Sequence, residues 1–183
     1  MNYIKLCFSG ALQYYCSADT STIKSTYNSS LVPTKASVIG LIASAFGYER
    51  GSSKSADLFN SVDVKYETLN APTVMWDFQT IKPLKSQQNY MNRQTAKTRG
   101  KFITYENKPV DRNIVKHIEY LQDGEFNVYV GGSDEVLKAI YEAIKNPQYA
   151  LFFGKRSCVP NKPIVTEFEL IDEGNLVNVS NCI

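Results

Sequence analysis

Histidine is almost missing from this chain: His117 is the single one in 183 residues. The four cysteines, Cys7, Cys16, Cys158 and Cys182, lie far apart with no Cys-x-x-Cys pair. A zinc site is therefore not expected, and the thiols read as reduced and mostly buried. No apolar run approaches the roughly 20 residues needed to cross a bilayer. The opening MNYIKLCFSG carries one lysine and a short apolar stretch, which reads as a first strand and not as a signal peptide. A soluble, cytoplasmic protein without a membrane partner is expected. No phosphate-binding P-loop, carboxylate metal cluster or Ser-His-Asp spacing is present, so nucleotide hydrolysis and DNA cutting have little support. Charge of either sign is also scarce in the sum: the formal net charge is +2, too mild to announce a nucleic-acid binder. Any such reading must rest on where the charge sits.

What is present is enough apolar surface for one core of ordinary size, at 43% hydrophobic residues, with room for an insertion. Tyr3 to Phe8 alternates about Ile4, Leu6 and Phe8 and reads as a strand. Gly10 to Leu31 shows no sustained period, so this long connection is either functional or mobile. Pro33-Thr34 opens a helix with Thr34 as N-cap, a buried stripe of Val38, Ile39, Ile42, Ala45 and Phe46, and Gly47 to end it. Lys35 and Ser37 in its first turn mark either a phosphate site or a solvated lysine. Val62 to Leu69 and Pro72 to Ile81 read as two strands, with Trp76 and Phe78 read as core residues and a ligand platform as the alternative.

The composition then shifts. From Lys82 to Lys116 nine cations face only Glu106 and Asp111, and Tyr90, Met91, Phe102 and Tyr105 are scattered among them. A polar excursion of this length cannot bury itself and reads as an inserted basic arm. Interleaved rings and cations suit single-stranded RNA, although a disordered basic loop has a similar composition. Phe126, Val128 and Val130 alternate in a further strand, and a helix follows with Ser133 as cap and a stripe of Val136, Leu137, Ile140, Tyr141 and Ile144. Tyr149 to Phe153 and the alternating Ile164, Thr166, Phe168 and Leu170 are expected as the last strands. The order contains two strand-helix-strand units, which interleave in a ferredoxin-like α+β fold: an antiparallel sheet with helices on one face. The other face is expected to be open to a ligand, as in RNA-binding sheets of this topology.

Within "YALFFGKRSCVPNKPI", Gly154 to Ser157 joins a glycine, two cations and a hydroxyl to a buried segment. The open readings are a phosphate-binding loop, an exposed turn, or an Arg156 paired with a carboxylate such as Asp123. For catalysis, Lys116, His117 and a nearby tyrosine, Tyr120 or Tyr105, form the alternative constellation of a metal-independent endoribonuclease.

Three stretches carry a family resemblance. "PTKASVIGLIASAFGYERG" (33–51), "EYLQDGEFNVYV" (119–130) and "FFGKRSCVPNKPI" (152–164) resemble, in order and spacing, motifs of the CasD family, the RAMP-class subunit of type I-E CRISPR Cascade. The chain departs from the family at Tyr15 and Gln79, where tryptophan and histidine are common, and in its short C-terminal segment. The resemblance implies a RAMP ferredoxin-like domain over 1–154 with an arm or thumb at about 82–112, followed by a basic loop and abbreviated β segment over 155–183. It also implies a non-catalytic subunit that caps the Cascade backbone and grips the 5′ handle of CRISPR RNA (crRNA). Its partners would be the terminal backbone subunit and the large subunit, in antiviral defence. The candidate RNA contacts are Lys24, Lys35, Ser37, Arg50, Arg93, Lys97, Arg99, Lys101, Lys155, Arg156 and Ser157. No cofactor is implied. The alternative, an enzyme processing precursor crRNA, would use Lys116, His117 and Tyr120.

Overall fold

The computed structural model describes residues 1–16, 26–81, 102–103, 109–110, 114–177 and 179–182. The chain divides into two compact units, one of Met1–Thr20, Asn28–Met75 and Glu119–Ile183, the other of Ser21–Tyr27 and Trp76–Ile118.

In chain order the strands are β1 (Asn2–Ser9), β2 (Leu12–Gln13), β3 (Thr26–Tyr27), β4 (Asp63–Asn70), β5 (Thr73–Ile81), β6 (Phe102–Ile103), β7 (Pro109–Val110), β8 (Ile114–Gln122), β9 (Glu125–Gly132), β10 (Ile171–Asp172) and β11 (Ser180–Asn181). The helices are α1 (Lys35–Phe46), α2 (Ser53–Ser61) and α3 (Asp134–Lys145). In the first unit the sheet order is β10-β1-β9-β4-β11, antiparallel at every junction. With α1 between β1 and β4 and α3 between β9 and β10, two strand-helix-strand units interleave as the sequence order requires, giving the ferredoxin-like α+β arrangement. In the second unit β3 runs parallel to β8, and β6 pairs with β7. β5 is also hydrogen-bonded to β8.

Register explains the core. Ile4, Val130 and Val64 stand side by side across β1, β9 and β4, and so do Leu6, Val128 and Tyr66. This face is apolar on β1 and β9, and α1 and α3 cover it with Val38, Ile42 and Ala45 from one helix and Leu137, Ile140 and Ile144 from the other, all buried. Both helices begin and end where local chemistry directs. Thr34 accepts a hydrogen bond from the Ser37 backbone N–H at 3.3 Å. Gly47 terminates α1 in the left-handed region at φ 74°, where a side chain is strained. Ser133 is the N-cap residue of α3 by position, but its side chain makes no cap hydrogen bond. Helix α2, a nine-residue segment with only Leu58 buried, carries too few apolar residues to be read from sequence.

Three expectations are corrected here. Tyr149–Phe153 is not a strand: it is held by isolated bonds such as Tyr14 N–H to Phe153 O at 3.0 Å and Phe153 N–H to Cys158 O at 2.8 Å, and among the described residues no partner strand runs alongside. Ile164–Leu170 is not a strand either: no described strand pairs with it, and Thr166, Phe168 and Leu170 are all exposed. Pairing with β1 resumes only at β10. The cysteines are mixed: Cys158 is buried, Cys7 and Cys182 half-buried and Cys16 exposed.

The sheet face away from the helices is not an open ligand surface. Tyr3 Oη donates to Asp63 Oδ2 at 2.9 Å, and Lys65 Nζ donates to Glu173 Oε1 at 2.6 Å while lying 4.9 Å from the centre of the Tyr3 ring. Alongside, Tyr129 Oη and Asn127 Nδ2 both donate to Glu67 Oε2, at 3.1 and 2.9 Å. Three carboxylates on this face oppose a phosphate backbone. No helix among the described residues is long and apolar enough to cross a membrane.

Ion pairs tie the late segments to the sheet in a pH-dependent way. Lys65 holds the Glu173 carboxyl below the usual carboxylate range, and Lys162, with the Ser9 hydroxyl, does the same for Glu125. A carboxylate depressed in the folded chain contributes stability above its unfolded pKa and loses it as pH falls through the folded value. The melting temperature should therefore fall between about pH 5 and about pH 3, and a K65M/K162M double variant should show a shallower fall over the same window. Parallel curves for the two proteins would refute this linkage.

Candidate nucleic-acid interface

The loop after Phe153 is the most tightly defined basic element of the described chain. Phe153 is fully buried against Phe8, with ring centroids 4.8 Å apart. Its backbone N–H donates to Cys158 O at 2.8 Å, and Cys158 N–H donates to Lys155 O at 2.9 Å, so the loop closes on itself. Cys158 has no solvent exposure, and its burial pushes the thiol pKa up, consistent with packing in place of chemistry.

Gly154 has φ 89°, and a Cβ there would lie 1.9 Å from the Tyr14 carbonyl oxygen. The chain's own backbone occupies this close approach. Lys155 Nζ then sits 4.1 Å from the centre of the Tyr14 ring and 5.1 Å from that of Tyr120. Both rings attract the ammonium by cation–π interaction. Arg156 and Ser157 are exposed, and among the described residues Arg156 forms no ion pair with Asp123.

This loop faces α1. A groove of about 230 Å³ is lined by Ser37, Gly40, Leu41 and Ser44 of the helix and by Ala150, Phe152, Gly154, Lys155 and Arg156. A second groove of about 670 Å³ shares Gly40, Ser44 and Gly154 with the first and extends between α1 and α2 past Arg50, Phe59 and Tyr149. Lys35 Nζ lies 4.6 Å from the centre of the Phe59 ring. Among the residues lining the two grooves there are three cations, Arg50, Lys155 and Arg156, and no carboxylate. The first turn of α1 also lacks an acidic residue, so its helix dipole adds positive potential beside Ser37.

The structure thus gathers Ser37, Arg50, Lys155 and Arg156 along one side of α1, with Lys35 at Phe59 nearby. Ser157 lies at the loop's exposed end, its Oγ 3.9 Å from Cys158 Sγ. Lys24, Arg93, Lys97, Arg99 and Lys101, and the side chain of Phe102 with Tyr90, Met91 and Tyr105 of the expected arm, lie outside the described residues.

Of the alternative constellation, Lys116 and His117 belong to the second unit and Tyr120 to the first. Neighbours on a strand point to opposite faces, so Lys116 and His117 diverge from β8. Lys116 Nζ lies 5.4 Å from the centre of the Tyr27 ring, His117 packs edge-on with Phe78, and Tyr120 is buried edge-on against Tyr14. Trp76 and Phe78, expected in the core, are exposed instead. Alternation in β5 placed these two rings on one face, but a period of two does not say which face meets solvent.

Two glycines test the geometry of the loop and the groove. Gly154→Ala should lower stability by about 2 kcal/mol or more, because it combines left-handed backbone with a clash against Tyr14. Gly40→Ala, in mid-helix with nothing within 4 Å of its new Cβ, should raise stability by about 0.5–1 kcal/mol. Thermal unfolding of the two variants decides both, and a neutral Gly154→Ala would refute the pinned loop.

Residues 3–180 match the family described as CRISPR-associated protein (Cas_Cas5). Among solved structures, a chain described as "CRISPR RNA-guided surveillance complex" is similar with a TM-score of 0.70 at 21% identity, covering 90% of this chain and 61% of that one. Another, described as "Crystal structure of Cas protein", is similar with a TM-score of 0.58 at 20% identity, covering 96% of this chain and 65% of that one. This chain therefore spans less than two thirds of the length of either. No curated protein sequence matches it. The likeness to the solved structures is one of fold, and the family match covers nearly the whole chain: this protein belongs to the Cas5 family of CRISPR-associated proteins.

Proposed function

We propose that this chain is a non-catalytic RNA-binding subunit of a type I CRISPR surveillance complex, of the I-E kind, gripping the 5′ handle of crRNA. The observation that carries this reading is the carboxylate-free pair of adjoining grooves along α1, one lined by Ser37, Lys155 and Arg156 and the other by Arg50. Fixed cations and a hydroxyl on a rigid helix and a closed loop recognise phosphate oxygens, while an unpaired strand needs a groove rather than a deep pocket. Membership of the Cas5 family and the fold shared with a chain of an RNA-guided surveillance complex are in keeping with crRNA as the ligand. Other Cas subunits would be its partners, namely the terminal backbone subunit and the large subunit.

Binding without cleavage is supported by the divergence of Lys116 and His117 on β8 and the burial of Tyr120. General acid-base cleavage of RNA needs those groups within reach of one ribose-phosphate.

The test uses the full chain and a labelled RNA carrying the repeat-derived 5′ handle. A K155E/R156E variant should bind at least about tenfold more weakly, and its log-affinity against log-salt slope should be shallower by about 1.4, two phosphates at about 0.7 each. A K138E/K145E variant, altered on exposed α3 positions, should change affinity by less than about twofold. Equal losses in the two variants would overturn the localised site. The RNA should remain intact with the wild type and with His117→Ala; cleavage by the first and not the second would overturn the non-catalytic assignment.

A further inference from the structure

Two large rings on β5 are exposed. Trp76 is 57% exposed and Phe78 62% exposed. Residues two apart on a strand share a face, so the rings stand together on one side of β5. Asp77 and Gln79 point to the opposite side, where Gln79 Nε2 donates to Asp77 Oδ2 at 2.6 Å. The one carboxylate of this stretch is thereby kept off the ring-bearing face. Phe78 is braced by His117 of the neighbouring β8, with ring centroids 5.0 Å apart and planes at 75°. Immediately after Ile81 the sequence carries nine cations against two carboxylates, from Lys82 to Lys116. An exposed ring pair adjoined by a strongly cationic sequence matches a ligand that is at once aromatic and polyanionic.

We propose that Trp76 and Phe78, with His117 holding the phenyl ring in place, form a stacking platform for unpaired RNA bases. Alternate side chains on a strand are ~6.7 Å apart, about twice the ~3.4 Å spacing of stacked bases. One base fits between the two rings, or each ring takes a base of a splayed strand. Stacking of this kind tolerates any base, because every base has a π-face. The platform rests on the RNA-binding reading above.

Trp76 is the only tryptophan of the chain, so its emission reports this site alone. The full chain is titrated with the labelled 5′-handle RNA, following label anisotropy and tryptophan emission together. Binding should quench Trp76 emission, and the same RNA with abasic ribose in place of its nucleosides should not. A W76A/F78A variant should bind about 5- to 150-fold more weakly with an unchanged salt slope, because rings touch no phosphate, whereas K155E/R156E changes the slope. Trp76→Phe should retain most of the affinity. RNA binding by anisotropy with unaltered Trp76 emission would overturn the platform and leave the RNA-binding reading standing, the rings then being a protein-docking face. Absence of any RNA binding by the wild type would overturn both. Should W76A/F78A fail to fold, the emission change of the wild-type protein decides alone.

Discussion

The carbonyl oxygen of Tyr14 occupies the space where any residue other than glycine at 154 would place its Cβ, and the basic loop is built around that contact. The same tyrosine receives the loop a second time through its N–H, bonded to Phe153 O, and a third time through its ring, under the Lys155 ammonium. Phe153 carries the anchor into the core against Phe8 of β1. A cationic turn is ordinarily a mobile surface feature. Here its backbone is fixed by buried contacts, so the backbone entropy of ordering the loop has been met by folding before any ligand arrives.

Electrostatics divides the first unit into two unlike sides. On the sheet face away from the helices, Asp63, Glu67 and Glu173 are satisfied by Tyr3, Lys65, Tyr129 and Asn127. That network consumes its cation internally and leaves no surplus positive charge. Along α1 the balance is reversed: the lining cations meet no lining carboxylate, and the start of the helix adds its dipole. RNA-binding sheets of this topology commonly present the open sheet face. In this chain that face is closed by its own polar network, and the favourable potential has moved to the helical side.

Local elements were legible in the sequence. Thr34 and Gly47 bracket α1 because a side-chain acceptor and a left-handed residue answer needs of the helix ends themselves. The stripes of α1 and α3 and the alternation of β1, β4, β5 and β9 likewise depend on residues within one segment. Tyr149–Phe153 and Ile164–Leu170 misled because strand-like composition does not supply a partner, and neither segment finds one. Helix α2 escaped notice because it buries a single leucine. Trp76 and Phe78 were placed on the wrong side, since alternation defines two faces without naming the buried one.

The candidate site divides in the same way. The sequence by itself determined which residues carry charge, which turn holds Gly-Lys-Arg-Ser, and that Ser37 opens a helix, all properties of covalent neighbours. Only the tertiary structure decided that Ser37, Arg50, Lys155 and Arg156 border one carboxylate-free surface, that the Gly154 approach is to Tyr14, and that Lys116 and His117 part company across β8. Segments more than a hundred residues apart in sequence meet there, because burying Phe153 and the stripe of α1 in one core leaves their polar edges side by side.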